Sequence, residues 1–222
     1  MLNLCCIGII SSFSPIEMMA VNMYTLKSAI PSKVFLTSYD DYLNFCKLCV
    51  MFSITSVHEV KINLKSMWYY EHDHMYDWFP ECVKKITIFD NVFVKKMFYF
   101  ELSSIETMVI EQSCVNISLP ETLKHLDVKR KFNGNITFEN AVHLETISID
   151  CTFTYFDHID FPNSVHKITI SEDFLARITR WPTELTELIV RCKKIEPTTL
   201  AYALMFHAPL SKSVNVRLIE TY

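Results

Sequence analysis

The sequence predicts an α/β repeat: a solenoid whose short strands stack in parallel along one face, closed by helical caps at both ends. Three observations lead there. An apolar spacing of three residues and then two recurs seven times, the interval between copies settles near roughly 20 residues, and a proline stands three residues ahead of the first apolar position in four copies.

Length and composition allow that architecture. With 222 residues, half of them hydrophobic, the chain can bury a sizeable core without disulfide staples. It carries 21 Lys and Arg against 25 Asp and Glu, a formal net charge of −4. That balance lacks the basic footprint needed to neutralise a row of phosphates, so nucleic acid is not an expected partner. The eight cysteines, Cys5, Cys6, Cys46, Cys49, Cys82, Cys114, Cys151 and Cys192, are scattered along the chain. Reduced thiols in a cytoplasmic protein account for them, and the sequons at Asn116 and Asn135 then stay unmodified.

Residues 1–54 are expected to form an N-terminal helical cap. The apolar run LNLCCIGII at 2–10 is about half the ~20 residues of a membrane-spanning helix, so no membrane partner is expected. As a secretory signal it lacks a basic leader, the first Lys or Arg being Lys27, although SSFS offers small residues for cleavage. SPIEMM then supplies a helix start, with Ser14 as N-cap, Pro15 in the first turn and Glu17 three residues after the cap. SYDDYLNFCKLCV repeats that signature with Ser38 and Asp41, and lays Tyr42, Phe45, Cys46 and Cys49 along one stripe.

Residues 55–195 carry the seven copies. They are Val57, Val60, Ile62; Val83, Ile86, Ile88; Ile105, Met108, Ile110; Leu123, Leu126, Val128; Leu144, Ile147, Ile149; Val165, Ile168, Ile170; and Leu185, Leu188, Val190. HDHMYDWF, between the first two, reads as a further helix ending before Pro80. The last two positions of each triplet alternate with polar residues and are rich in Ile and Val, which marks short strands with one buried face. Such a strand is too short to stand alone, so each unit must bury its apolar side against the next. Pro80, Pro120, Pro162 and Pro182 are the four prolines ahead of a triplet. In the spacers, Phe132, Ile136, Phe138, Phe153, Phe156, Ile159, Phe174, Ile178 and Ile195 supply an opposite wall, and their irregular spacing suits extended or single-turn segments. The competing antiparallel sandwich needs hairpin signals, and the one between strands is Asn133-Gly134.

LPETLKHLDV, FPNSVHKITI and WPTELTELIV resemble the leucine-rich repeat, in particular the short proline-containing repeats of amoebal and bacterial effector proteins. The resemblance covers roughly residues 55–195 and implies a concave strand face that holds a protein partner. It departs from the family three residues after the last strand apolar, where Asn or Cys is usual: Asn91 is followed by Ser113, Lys131, Thr152, Asp173 and Lys193. The buried Asn ladder is therefore absent or replaced.

Residues 196–222 read as a C-terminal cap. EPTTLAYALMFH has Pro197 in a first turn and Ala and Leu of high helix propensity, and SVNVRL at 213–218 alternates like a final strand.

The layout of the N-terminal third, from SPIEMM through YDDYLNF, VKINLKSMWYY and MYDWFPECVKKITIFDN, is similar to amoebal leucine-rich-repeat proteins that begin with an F-box-like helical module. This second resemblance implies an adaptor that docks on a ubiquitin-ligase core through its N-terminal helices and presents a target on the repeat arc. Plain solenoid caps account for the same helices.

Enzymatic and metal chemistry find little support. Cys46-Lys-Leu-Cys49 is a single CxxC without a second ligand pair, and buried thiols explain it. Glu71, His72, Asp73 and His74 bring four potential ligands together, but alternate residues diverge on a helix. The two glycines, Gly8 and Gly134, are too few for phosphate-cradling loops. No nucleophile elbow or metalloprotease motif is present. A non-enzymatic binding scaffold without cofactor or metal is the expectation, with an adaptor, and then a metal protein or enzyme, as alternatives.

The candidate site is the outer face of the strand stack. Residues flanking each buried pair point outward because the pleat alternates. The central column is Lys61, Thr87, Val109, Asp127, Ser148, Thr169 and Ile189. Beside it lie Lys85, Phe89, Thr107, Glu111, His125, Lys129, Thr146, Asp150, Lys167, Ser171, Glu187 and Arg191. Phe89 with Val109, and Ile189 with Arg191, are the expected anchors.

Overall fold

The computed structural model describes residues 32–63, 79–99, 104–132, 134–150, 159–193 and 213–220. The helices expected from Ser14 and from Pro197 lie outside these residues. So does the one expected in HDHMYDWF, apart from Phe79, which is buried and not helical.

In chain order the elements are β1 (Lys33–Leu36), α1 (Tyr39–Phe52), β2 (Glu59–Asn63), β3 (Lys85–Tyr99), β4 (Thr107–Ser118) and β5 (His125–Phe132). Then come β6 (Ile136–Thr137), β7 (Thr146–Ile149), β8 (Ile159–Asp160), β9 (Lys167–Ser171), a 3-10 helix (Glu172–Arg177), β10 (Ile178–Arg180), β11 (Glu187–Cys192) and β12 (Asn215–Glu220). One large sheet runs β1-β2-β3-β4-β5-β7-β9-β11-β12, with β6 joined to β4, and β8 and β10 form a small second sheet. Every pairing among the described residues is parallel. No hairpin links β5 and β6 across Asn133-Gly134, because β6 pairs in parallel with β4. An antiparallel sandwich is excluded for these strands.

The triplets set the register. The second apolar position of each lies in one row, Val60, Ile86, Met108, Leu126, Ile147, Ile168 and Leu188, and the third in the next, Ile62, Ile88, Ile110, Val128, Ile149, Ile170 and Val190. Val34 and Leu36 extend the two rows at one end, Val216 and Leu218 at the other. A shift by one residue would turn every row to the outside, so burial of this face holds the register. The row residues from β1 to β11 are at most 3% exposed. Each buried Val, Leu, Ile or Met contributes about 1.5–3 kcal/mol. Ordering a residue's backbone costs ~1–2 kcal/mol, so a four-residue strand with two such residues cannot persist without its neighbours.

The prolines have a structural reason. The carbonyls of Pro80, Pro120, Pro162 and Pro182 accept hydrogen bonds from the N–H of Val83, Leu123, Val165 and Leu185, at 2.8, 3.2, 3.2 and 3.3 Å. Each proline thus opens a turn that delivers the first apolar residue into the core, and Ala141 does the same for Leu144 at 3.2 Å. Proline suits the place because its fixed φ stiffens the turn and it carries no N–H needing a partner. The next two N–H groups then converge on the carbonyl of the residue just ahead of the neighbouring strand: Lys124 and His125 on Glu106, Glu145 and Thr146 on Lys124, His166 and Lys167 on Glu145.

Among the described residues the opposing wall is built from short segments. Phe132, Ile136, Ile159, Phe174 and Ile178 are buried, and Phe138 packs half-buried beside them. They lie on the two- and three-residue strands β6, β8 and β10, the end of β5 and the 3-10 helix. Phe153, Phe156 and Ile195 lie outside the described residues.

α1 starts as its sequence requires. Ser38 Oγ accepts from the Asp41 N–H at 3.1 Å while Asp41 Oδ2 accepts from the Ser38 N–H at 3.1 Å, and Thr37 adds its hydroxyl at 2.7 Å. Tyr42, Phe45, Cys46 and Cys49 are the buried stripe. Among the described residues no helix is long and apolar enough to cross a membrane.

Two features depart from expectation. The sequence predicts a helical cap over residues 1–54, yet β1 adds an outer strand there. Its rows align Val34 with Val60, so Pro31 stands where a triplet would place its first apolar residue, and the spacing that reveals the other strands is broken. Strands β3 and β4 are also longer than the triplets imply and continue pairing to Tyr99 and Ser118 through shifts of register.

Candidate functional site

Pleating brings the outward residues of nine strands into three columns. The central one reads Phe35, Lys61, Thr87, Val109, Asp127, Ser148, Thr169, Ile189 and Arg217. Along the strand starts run Lys33, Glu59, Lys85, Thr107, His125, Thr146, Lys167, Glu187 and Asn215. Toward the strand ends lie Asn63, Phe89, Glu111, Lys129, Asp150, Ser171, Arg191 and Ile219, a line broken by a register shift at β4, where Phe89 pairs with Gln112 and Gln112 with Lys131. Neighbouring rungs stand ~4.8 Å apart, the spacing of the ladder. All the sequence-predicted face residues lie along these lines, while Lys33, Phe35, Glu59, Asn63, Asn215, Arg217 and Ile219 belong to the face without having been expected there.

Exposure within the columns is uneven. Glu111, His125 and Lys129 are exposed. Lys61, Lys85, Phe89, Val109, Asp127, Ser148, Asp150, Lys167, Glu187, Ile189 and Arg191 are half-buried. Thr87 and Thr169 correct the expectation: at 4% and 8% exposure they offer a partner almost no surface.

Two ion pairs on the face skip a strand. Lys61 on β2 reaches Glu111 on β4 at 2.7 Å, and because β3 lies between, the bridge roofs Thr87. The Lys61 ammonium also sits 4.7 Å from the centre of the Phe89 ring, and Phe89 stacks on Phe35 at 5.2 Å. Phe89, an expected anchor, is therefore already partnered within the chain. At the other side Arg191 on β11 reaches Asp150, the residue after β7, at 3.5 Å, across β9 at the rung of Ser171. The Ser171 hydroxyl is buried there without a hydrogen-bond partner. Long side chains bridging over a short one remove it from solvent, whichever way the pleat turns it.

Between the two bridged flanks the face opens. A depression of roughly 350 Å³ is lined by Thr107, His125, Leu126, Asp127, Thr146, Ile147, Ser148, Lys167 and Thr169. His125 Nδ1 and Thr146 Oγ1 lie 2.9 Å apart. Asp127 pairs with Lys129 through Oδ2, while its Oδ1 is buried without a hydrogen-bond partner. The lining combines short hydroxyl side chains with more apolar than polar surface, and Leu126 and Ile147 stand among them.

Charge along the strand starts follows one pattern. Glu59 lies 2.7 Å from Lys33 and 3.5 Å from Lys85, and Glu187 lies 2.8 Å from Lys167 and 3.4 Å from Arg217. One residue earlier in the rungs, Glu106 takes Lys124 at 3.1 Å and Lys84 at 3.5 Å. Each carboxylate sits between two cations and is held below the usual carboxylate range. For Glu106 and Glu187 the hydrogen bonds from Lys124 and Lys167 lead, against a weaker opposing effect of burial. For Glu59 burial is the largest single influence and acts upward, but the hydrogen bond from Lys33 and the charges of Lys85 and Lys33 together outweigh it.

Away from the face, burial pushes the Cys46 and Cys49 thiols up to about 12. Both are buried on α1, as a pair of packed thiols would be. Among the described residues no three His, Cys, Asp or Glu side chains stand together as metal ligands, and Glu71 to His74 lie outside those residues. Compared with protein-family models, with curated proteins and with solved structures, the chain finds no match in any of the three.

Proposed function

We propose that this chain is a non-enzymatic protein-interaction scaffold: a solenoid similar to leucine-rich-repeat proteins, closed by helical caps, that presents its concave strand face to a protein partner. One observation carries the reading. Side chains spread from Lys33 to Arg217 in sequence meet in continuous columns on a single parallel sheet. A backbone locked in such a ladder costs little further ordering when a partner lands on it, so contact energy is not consumed by loop closure. The open depression between the bridged flanks suits a protein segment laid across strands better than a small molecule, which needs walls that enclose most of its surface. Binding of this kind calls for no cofactor and no metal. Reduced thiols at Cys46, Cys49 and Cys82 suit a cytoplasmic setting.

The test replaces Ser148, half-buried at the floor of the depression, with Arg. Capture of partners from cell extract by the full chain is compared with capture by Ser148→Arg at matched folding, judged by circular dichroism. Loss of a stoichiometric partner supports the reading. A partner set that Ser148→Arg retains in full contradicts it.

A second reading has its own observation. α1 leaves Val50 and Met51 in its last turn 65% and 59% exposed. Large apolar side chains exposed together suit docking to a ubiquitin-ligase adaptor through the N-terminal helices. Co-purification of a Skp-type adaptor with the full chain, abolished by Met51→Asp, would favour that role. Absence of the adaptor from the wild-type material would leave the helices as caps.

A further inference from the structure

We propose that the occupant of the face is a carboxylate-rich peptide segment, bound extended across the strand starts. This rests on the reading of the face as a docking surface and adds the chemistry of what docks. Charge balance motivates it. The whole chain has fewer cations than carboxylates, 21 against 25. Among the described residues the three face columns reverse this, with seven Lys and Arg against five Asp and Glu. At the strand ends the charges cancel in number, Lys129 and Arg191 against Glu111 and Asp150, and Lys129 and Glu111 are each paired with the central column, with Asp127 and Lys61.

The surplus is concentrated at two places. Glu59 is shared by Lys33 and Lys85, and Glu187 by Lys167 and Arg217. One carboxylate neutralises one cation, so each trio keeps a net positive charge toward solvent. The lowered protonation range of both carboxylates agrees with that excess of cations around them. A partner with positive charge would be repelled at both trios, and a neutral one would leave their charge uncompensated as water is displaced.

Geometry sets the length of the partner. From β2, which bears Glu59, to β11, which bears Glu187, the sheet takes six strand steps. At ~4.8 Å per step that is about 29 Å along the ladder, which an extended peptide covers in about nine residues. The depression lies under its middle, where Thr146 and Ser148 leave room for a backbone to approach. The expected ligand therefore has acidic residues at both ends of a span of about nine, with small residues between.

The experiment is selection from a displayed library of random peptides of about a dozen residues, on the full chain. Binders are counter-selected on Ser148→Arg and, separately, on Arg217→Glu, whose side chain is 61% exposed and outside the core. Recovered peptides are then measured by fluorescence anisotropy. The expected result is face-dependent peptides enriched in Asp and Glu at that spacing. Their affinity should fall roughly fivefold with Arg217→Glu, and further as salt shortens the reach of the charges. Peptides that depend on the face but are neutral or basic overturn the acidic-partner inference and leave the docking surface standing. Recovery of no face-dependent peptide overturns both.

Discussion

Leu188 and Ile189 are neighbours on β11 with side chains of equal size, and the pleat sends them to opposite sides. Leu188 is 0% exposed, in the row between Ile168 and Val216; Ile189 is half-buried, between Thr169 and Arg217 on the face. Leu188→Ala removes three buried carbons, about 2.4 kcal/mol at ~0.8 kcal/mol each. The cavity left in a core that cannot collapse fully raises the loss to about 3–4 kcal/mol. Ile189→Ala forfeits cross-strand contact on the open side, worth less than about 1 kcal/mol. In urea, with an m-value of roughly 2.5 kcal/mol/M for a chain this long, the first variant should lower the unfolding midpoint by more than 1 M and the second by under about 0.4 M. Unchanged slopes would show that both act on the native state. Equal shifts, or a larger one for Ile189→Ala, would mean that the strand is set one residue out of the register described, and the reasoning would fail.

Three further outcomes follow from particular contacts. Glu59, Glu106 and Glu187 bind protons less readily folded than unfolded, so the stability they contribute is complete above the ordinary carboxylate range and is lost as pH falls through their lowered values. The urea midpoint should be level from neutrality to about pH 5.5, drop below about pH 4.5, and drop less steeply in high salt, since the pairs are partly exposed. Ser38→Ala removes one half of the α1 capping box while Asp41 keeps Thr37, and should lower stability by about 1 kcal/mol, read as a melting temperature ~2–4 °C lower. Cys46 and Cys49, neutral and buried, should resist iodoacetamide at pH 8 in the native protein and react in urea; rapid native labelling would contradict their place in the core.

Much of the sheet was legible because burial imposes a strict period. Each triplet from Val57 to Val190 encodes an interior row, and the proline ahead of four of them encodes the turn that feeds it. What escaped the sequence depended on neighbours rather than period. Pro31 interrupts the spacing ahead of β1, which hid Phe35 and with it the partner of Phe89. Thr87 and Ser171 alternate outward as expected, but Lys61 with Glu111 and Arg191 with Asp150 bridge across their strands, pairs 50 and 41 residues apart that only the strand order brings together. Arg217 was visible as part of a strand; its share in the Glu187 cluster required knowing that β12 follows β11.

In the parallel sheet all the strands start at the same edge. Nitroxide labels introduced as a genetically encoded amino acid at the exposed turn positions His58, His166 and Thr186 measure this directly by electron double resonance. Successive rungs at ~4.8 Å put His58 about 24 Å from His166 and about 29 Å from Thr186, with His166 and Thr186 adjacent. Distances rising in that order are the predicted result. A separation of His166 from Thr186 near the length of a strand would place their strands head to tail and contradict the parallel sheet.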